Sequence, residues 1–65
     1  MKTVTLPDNT TARVRCTYVV AFNNNGSWTC SSSHSKEAAA IAAAASPMWD
    51  RNGFGRCKRV ILTAE

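Results

Sequence analysis

Ala12-Arg13-Val14-Arg15-Cys16-Thr17-Tyr18-Val19-Val20-Ala21-Phe22, followed by Asn23-Asn24-Asn25-Gly26 and Ser27-Trp28-Thr29-Cys30-Ser31, sets the pattern from which the architecture follows. Val14, Cys16, Tyr18, Val20 and Phe22 recur at every second position, while Arg13, Arg15 and Thr17 begin the opposite face. That period belongs to a β-strand with one side buried. The Asn/Gly run then turns the chain, and Ser27 to Ser31 resumes as a return strand. A three-residue loop, Asn24-Asn25-Gly26, would give Gly26 the left-handed position of a type I turn plus bulge. It sets Phe22 opposite Trp28 and Val20 opposite Cys30, so apolar meets apolar. A two-residue Asn25-Gly26 turn would set them opposite Thr29 and Ser31, so the three-residue loop is expected.

Upstream, Lys2 to Leu6 alternates, with Val4 and Leu6 on one side, and Pro7-Asp8-Asn9 supplies turn chemistry. A first strand and a hairpin are expected there. Downstream, Ser33 or Ser35 is a natural N-cap and Glu37 falls in the first turn of the helix that follows, where its charge suits the dipole. Lys36 to Ala45 is almost pure helix former, and Ser46-Pro47 ends it. Ala38, Ile41, Ala42 and Ala45 follow helical spacing and are expected on the sheet; Ala39, Ala40, Ala43 and Ala44 then face outward, as exposed helix formers or as a contact surface. Pro47 to Arg56 reads as a loop. Lys58 to Thr63 closes the chain as a strand, and Val60-Ile61-Leu62, apolar on both faces, suits an interior position. The expectation is an α+β fold, β-β-β-α-β: a small antiparallel or mixed sheet of about four strands with one Ala-rich helix packed on one face.

Sixty-five residues make one domain, 1–65, with a thin core. The composition is 45% hydrophobic, that of a globular chain. No apolar run approaches the roughly 18 residues of a membrane span. Met1-Lys2-Thr3-Val4 lacks the apolar stretch of a secretory leader. A soluble cytoplasmic protein with no membrane partner is expected. Cys16, Cys30 and Cys57 are an odd set without a pairing motif, which reads as reduced thiols acting as small core hydrophobes.

The inventory for catalysis is sparse. Asp8, Glu37, Asp50 and Glu65 are scattered, and no two are placed for acid–base work. His34, the single histidine, sits at the start of the expected helix. A nucleophilic thiol would need it alongside, with a third orienting group. Cys16, Cys30, His34 and Cys57 could compose a zinc set, but only Cys30 and His34 have local ligand spacing. Neither an enzyme, a metal nor a cofactor is expected.

The strongest signal is cationic and aromatic. Eight Lys and Arg stand against four Asp and Glu, a net charge of +4. Half of those cations, Arg51, Arg56, Lys58 and Arg59, fall within nine residues, with Trp49 and Phe54 among them. Arginine with flat aromatics can grip phosphates and stack on bases, or anchor a protein hot spot. The alternative is that Trp49 and Phe54 fold inward as core lids beneath solvated charges, and both readings stay open here. Arg13 and Arg15 on the long strand would extend the positive surface.

Ser35-Lys36-Glu37-Ala38-Ala39 with its alanine-rich helix, after a hairpin, resembles the last part of a double-stranded-RNA-binding domain over residues 12–45. That resemblance implies RNA as a partner. The family's leading helix is replaced here by a strand and turn, and only Lys36 stands where the family clusters lysines. The hairpin, Ser-x-x-Glu/Lys-Ala helix and final strand over residues 12–63 also resemble small phage accessory proteins, including anti-CRISPR inhibitors. That resemblance implies a non-enzymatic protein that binds a bacterial protein or ribonucleoprotein complex along a nucleic-acid-facing surface. The expected function is steric inhibition through Arg51, Arg56, Lys58 and Arg59 with Trp49 or Phe54. Direct, largely sequence-independent nucleic-acid binding is the alternative, and a self-associating subunit, a homodimer through the helix or a sheet edge, is the third.

Overall fold

The computed structural model describes residues 1–51, 53 and 57–65. The chain runs β1 (Lys2–Thr5), β2 (Thr11–Val14), β3 (Tyr18–Asn24), β4 (Ser27–His34), α1 (Glu37–Ala44), α2 (Met48–Arg51) and β5 (Lys58–Thr63). β1 and β2 form one antiparallel pair, and β4-β3-β5 form a three-stranded antiparallel sheet. α1 packs across β3, β4 and β5. The fold is α+β, with an Ala-rich helix on one face of a sheet, as expected. Five strands replace the expected four because the long strand is divided.

The division falls at Arg15-Cys16-Thr17, a bend between β2 and β3. It lets the β1–β2 hairpin fold over the sheet, and Lys2 Nζ donates to Thr17 Oγ1 across it at 2.6 Å. The bend also resets the alternation. Val14 shares its core with Val19, not with Val20, and Val4 and Ala64 complete that cluster with Ala12, Cys30 and Leu62 around it. Val20 and Phe22 point to the helix side, where Phe22 meets Trp49. Covered on both faces, β3 has Val19, Val20 and Ala21 at 0% exposure. Val19 and Val20 each contribute about 1.5–3 kcal/mol of burial, which concentrates the stability of a small domain in its central strand.

The first turn follows the sequence reading. Asn9 has φ 70°, Leu6 N–H donates to the Thr10 carbonyl at 2.8 Å, and Asp8 accepts from Thr10 N–H at 3.1 Å and from its hydroxyl. The second turn departs from it. Asn24 pairs with Ser27, Asn23 with Trp28 and Phe22 with Thr29, so the turn is the two-residue Asn25-Gly26. Asn25 and Gly26 have φ of 54° and 86°, the positive pair a type I′ turn requires. Asn23 Oδ1 accepts from Gly26 N–H at 3.0 Å and holds it. Phe22 does not need Trp28 opposite, because Trp49 supplies its aromatic neighbour from outside the hairpin. The register then shifts between Val20 and Ala21, leaving Ser31 as a bulge so that Val20 faces Ser32.

Helix α1 is rotated from the expected setting. Ala40 is buried and Ala43 and Ala44 are half-buried, whereas Ala38, Ile41, Ala42 and Ala45 are exposed. An alanine helix carries almost no phase information. Its phase is set by Trp49, whose Nε1–H donates to the Ala43 carbonyl at 2.9 Å. Neither Ser33 nor Ser35 caps the helix: β4 runs on to His34, and Lys36 occupies the N-cap without a side-chain bond, although Glu37 does sit in the first turn. The expected 47–56 loop contains α2, whose Met48 N–H donates to Ser46 Oγ at 3.3 Å.

β5 is a lateral strand, not an interior one. Its apolar character reflects two covered faces, with Leu62 beside Val19 and Ile61 beside Val20. Beyond it, Thr3 N–H donates to the Glu65 carbonyl at 2.8 Å and Glu65 N–H to the Thr3 carbonyl at 2.9 Å. The far end of β5 is thereby stitched to β1. Among the described residues, β4 is left with a partner on one side only.

Candidate binding surface

Trp49 is the hub of the surface that the cationic cluster occupies. Its ring meets Phe22 edge-on, with centroids 5.2 Å apart at 63°. The Arg59 guanidinium lies 5.1 Å from the Trp49 centroid, within cation–π range. With the Nε1 bond to Ala43, three elements converge on one indole: β3 through Phe22, α1 through Ala43 and β5 through Arg59. The local sequence explains the placement. Ser46-Pro47 stops α1 and starts one turn of α2, which drops Trp49 back onto the sheet. Trp49 and Arg59 are half-buried, so the indole acts both as a lid and as a seat for a cation.

Arg51 and Lys58 are exposed, and Lys58, paired with Asn23, faces away from Arg59 and lines a separate groove with Asn23, Asn24, Asn25, Gly53 and Cys57. Phe54 and Arg56 lie outside the described residues. Among the described residues neither Arg51 nor Lys58 is engaged in an ion pair, so their charge is directed at solvent. Arg13 and Arg15, on and just past β2, are also exposed but belong to a different place. They line a groove of about 280 Å³ with Cys30 and Ser31-Ser32-Ser33. A second groove, about 380 Å³, is lined by Phe22, Ala43, Met48 and Trp49 and again by Ser31 and Ser32. The cations thus do not share one surface: Arg13 and Arg15 line a groove beside β4, whereas Lys58 and Arg59 are on β5, across β3 from it. Sequence reasoning missed Met48, which is 53% exposed in the second groove. The signal was available: Met48 and Trp49 are adjacent on one helical turn and cannot both face the core.

Other candidates are dispersed. His34 ends β4, and its Nε2 is 2.9 Å from Ser32 Oγ. Cys16, Cys30 and Cys57 are free and half-buried. Burial pushes the Cys30 thiol pKa up, as expected for a thiol used as packing. No group of three metal-ligating side chains occurs among the described residues. Asp8 is held below the usual carboxylate range by the Thr10 hydroxyl and then the Thr10 N–H, a turn-forming role. No helix among the described residues is long and apolar enough to cross a membrane.

No family model fits the sequence, and neither the curated proteins nor the solved structures give a match. The surface itself therefore carries the functional reading.

Proposed function

We propose that this protein is a non-enzymatic inhibitor of the phage or mobile-element kind, similar in type to anti-CRISPR proteins. It docks on a bacterial nucleic-acid-handling complex and blocks it sterically. The observation that supports this reading most is the Trp49 hub, which holds the half-buried Arg59 in place at the surface. A guanidinium fixed on an indole loses little conformational freedom on binding, and such preorganised Arg/Trp pairs suit a hot spot on an acidic surface. The net charge of +4 would steer the encounter.

The test compares nucleic acid with protein as the partner. Labelled duplex and single-stranded DNA and RNA are titrated with the protein at low and near-physiological salt. The inhibitor reading expects binding at low salt only, because about three or four phosphate contacts lose most of their affinity as salt rises. It also expects a nucleic-acid-handling complex to be captured from bacterial lysate by the wild type and lost with Arg51→Glu/Lys58→Glu. Tight nucleic-acid binding that persists at physiological salt would replace this reading with direct nucleic-acid binding.

A further inference from the structure

The outer edge of β4 lies between the two grooves, and its chemistry differs from that of the Trp49 hub. β3 bonds to its neighbours alternately. Thr17 O accepts from Ala64 N–H at 2.7 Å, so the odd-numbered residues of β3 bond to β5 and the even-numbered ones to β4. Their β4 partners are Ser27, Thr29, Ser32 and His34. The main-chain groups of Trp28, Cys30 and Ser33 consequently point away from β3, along an edge that no other strand pairs among the described residues. Proteins usually guard such an edge with charge or proline, and Ser27-Trp28-Thr29-Cys30-Ser31-Ser32-Ser33-His34 contains no proline and no Lys, Arg, Asp or Glu. Only the Ser31 bulge interrupts it.

The grooves lie on opposite faces of that edge. One carries Arg13 and Arg15, on the side of the β1–β2 hairpin. The other carries Phe22, Met48 and Trp49, on the helix side. Successive side chains of an added strand point to opposite faces, so its residues would enter the two grooves alternately. The geometry points to β4 as a strand-addition site for an extended protein segment in which acidic and apolar residues alternate. Main-chain bonds to Trp28, Cys30 and Ser33 hold the segment; its carboxylates face Arg13 and Arg15, and its apolar side chains lie on Met48 and Phe22. A second copy of this chain fits less well. Its own β4 carries no acid, and pairing would bring two Arg13/Arg15 sets together in a dimer of +4 protomers. The site borders the Trp49 hub through its apolar groove but uses neither Arg51 nor Lys58, and it does not depend on the inhibitor reading.

The probe is the peptide acetyl-(Glu-Val)4-amide, titrated to about 1 mM into isotopically labelled protein at low salt, with acetyl-(Lys-Val)4-amide as the control. Amide shifts and slowed hydrogen exchange are expected at Trp28, Cys30 and Ser33, with the control at least about tenfold weaker because of like-charge repulsion. Arg13→Glu/Arg15→Glu and Met48→Glu, both on exposed side chains, should each weaken the acidic peptide about tenfold or more. Ser33→Pro should remove protection on the edge while keeping the β3 ladder, and Arg51→Glu/Lys58→Glu should leave the affinity within about threefold. Four results would overturn the proposal: no response to the peptide; equal binding of the lysine control; preference of an oligonucleotide for Arg13 and Arg15 without edge protection; or concentration-dependent protection of the edge in protein alone, with a dimer's mass.

Discussion

Replacing Trp49 by alanine should destabilise the fold by more than its half-buried position suggests. The edge-on contact with Phe22 at 5.2 Å contributes about 1 kcal/mol beyond simple burial. The Nε1–H bond to the Ala43 carbonyl adds about 1 kcal/mol. The Arg59 contact, partly open to solvent, adds about 0.5 kcal/mol. Apolar burial lost from a half-exposed indole is of similar size, about 1 kcal/mol, so the total is about 3.5 kcal/mol. In a chain of 65 residues each kcal/mol moves Tm by about 4–8 °C, so Trp49→Ala should lower Tm by about 14–28 °C. Trp49→Phe keeps the aromatic pair but loses the N–H donor and most of the cation–π contact, and should cost about 1.5 kcal/mol, less than half as much. Thermal unfolding followed by far-ultraviolet circular dichroism measures both. A loss below about 4 °C for Trp49→Ala would refute the hub, because it would mean that the indole does not tie α2 to α1 and the sheet.

Three further outcomes follow from other parts of the fold. Gly26→Ala, at φ 86° in the Asn25-Gly26 turn, should cost about 1 kcal/mol in urea unfolding, whereas Asn25→Gly should cost less. Ala40→Glu should prevent stable folding, since Ala40 is 0% exposed against the sheet, while Ala42→Glu on the open face should leave the circular-dichroism melt nearly unchanged. Asp8 has its folded pKa depressed by the Thr10 hydroxyl and N–H, so its stabilising effect is present above the unfolded value of 3.8 and fades as pH falls through the folded one. The Tm difference between wild type and Asp8→Ala should therefore be constant near neutrality and shrink below about pH 4.

The elements whose pattern is local were legible from the residues alone. The burial of Val4 and Leu6, the Asp8-Asn9 turn and the stop at Ser46-Pro47 each depend on a few neighbouring positions, and each is present. The β2–β3 region was read as one strand because its alternation is unbroken from Val14 to Phe22. The bend at Arg15-Cys16-Thr17 is a tertiary event: it brings the first hairpin over the sheet and exchanges the faces of Val19 and Val20. The hairpin register was misjudged for a related reason. Pairing Phe22 with Trp28 optimises the hairpin in isolation, but Trp49, twenty-seven positions along the chain, already fills the place beside Phe22. The type I′ preference of Asn-Gly then acts unopposed.

The same long-range contact governs the helix and the surface. Eight residues of Glu-Ala-Ala-Ala-Ile-Ala-Ala-Ala could present any face to the sheet at little cost, and Ile41 as the largest side chain would ordinarily decide. In this fold the sheet offers β3 with Val20 and Ala21 already sealed and Phe22 claimed by Trp49. A close approach by Ala40 and Ala43 lets the Ala43 carbonyl reach Trp49 Nε1, a bond that a helix rotated onto Ile41 would forgo. Ile41 is therefore left 50% exposed, and Met48 53% exposed beside β4, because one indole takes the interior space that both would otherwise share. The rotation keeps the apolar surplus on the outside of the protein. Of the two residues, Met48 lines a groove along β4, where an added strand could cover it.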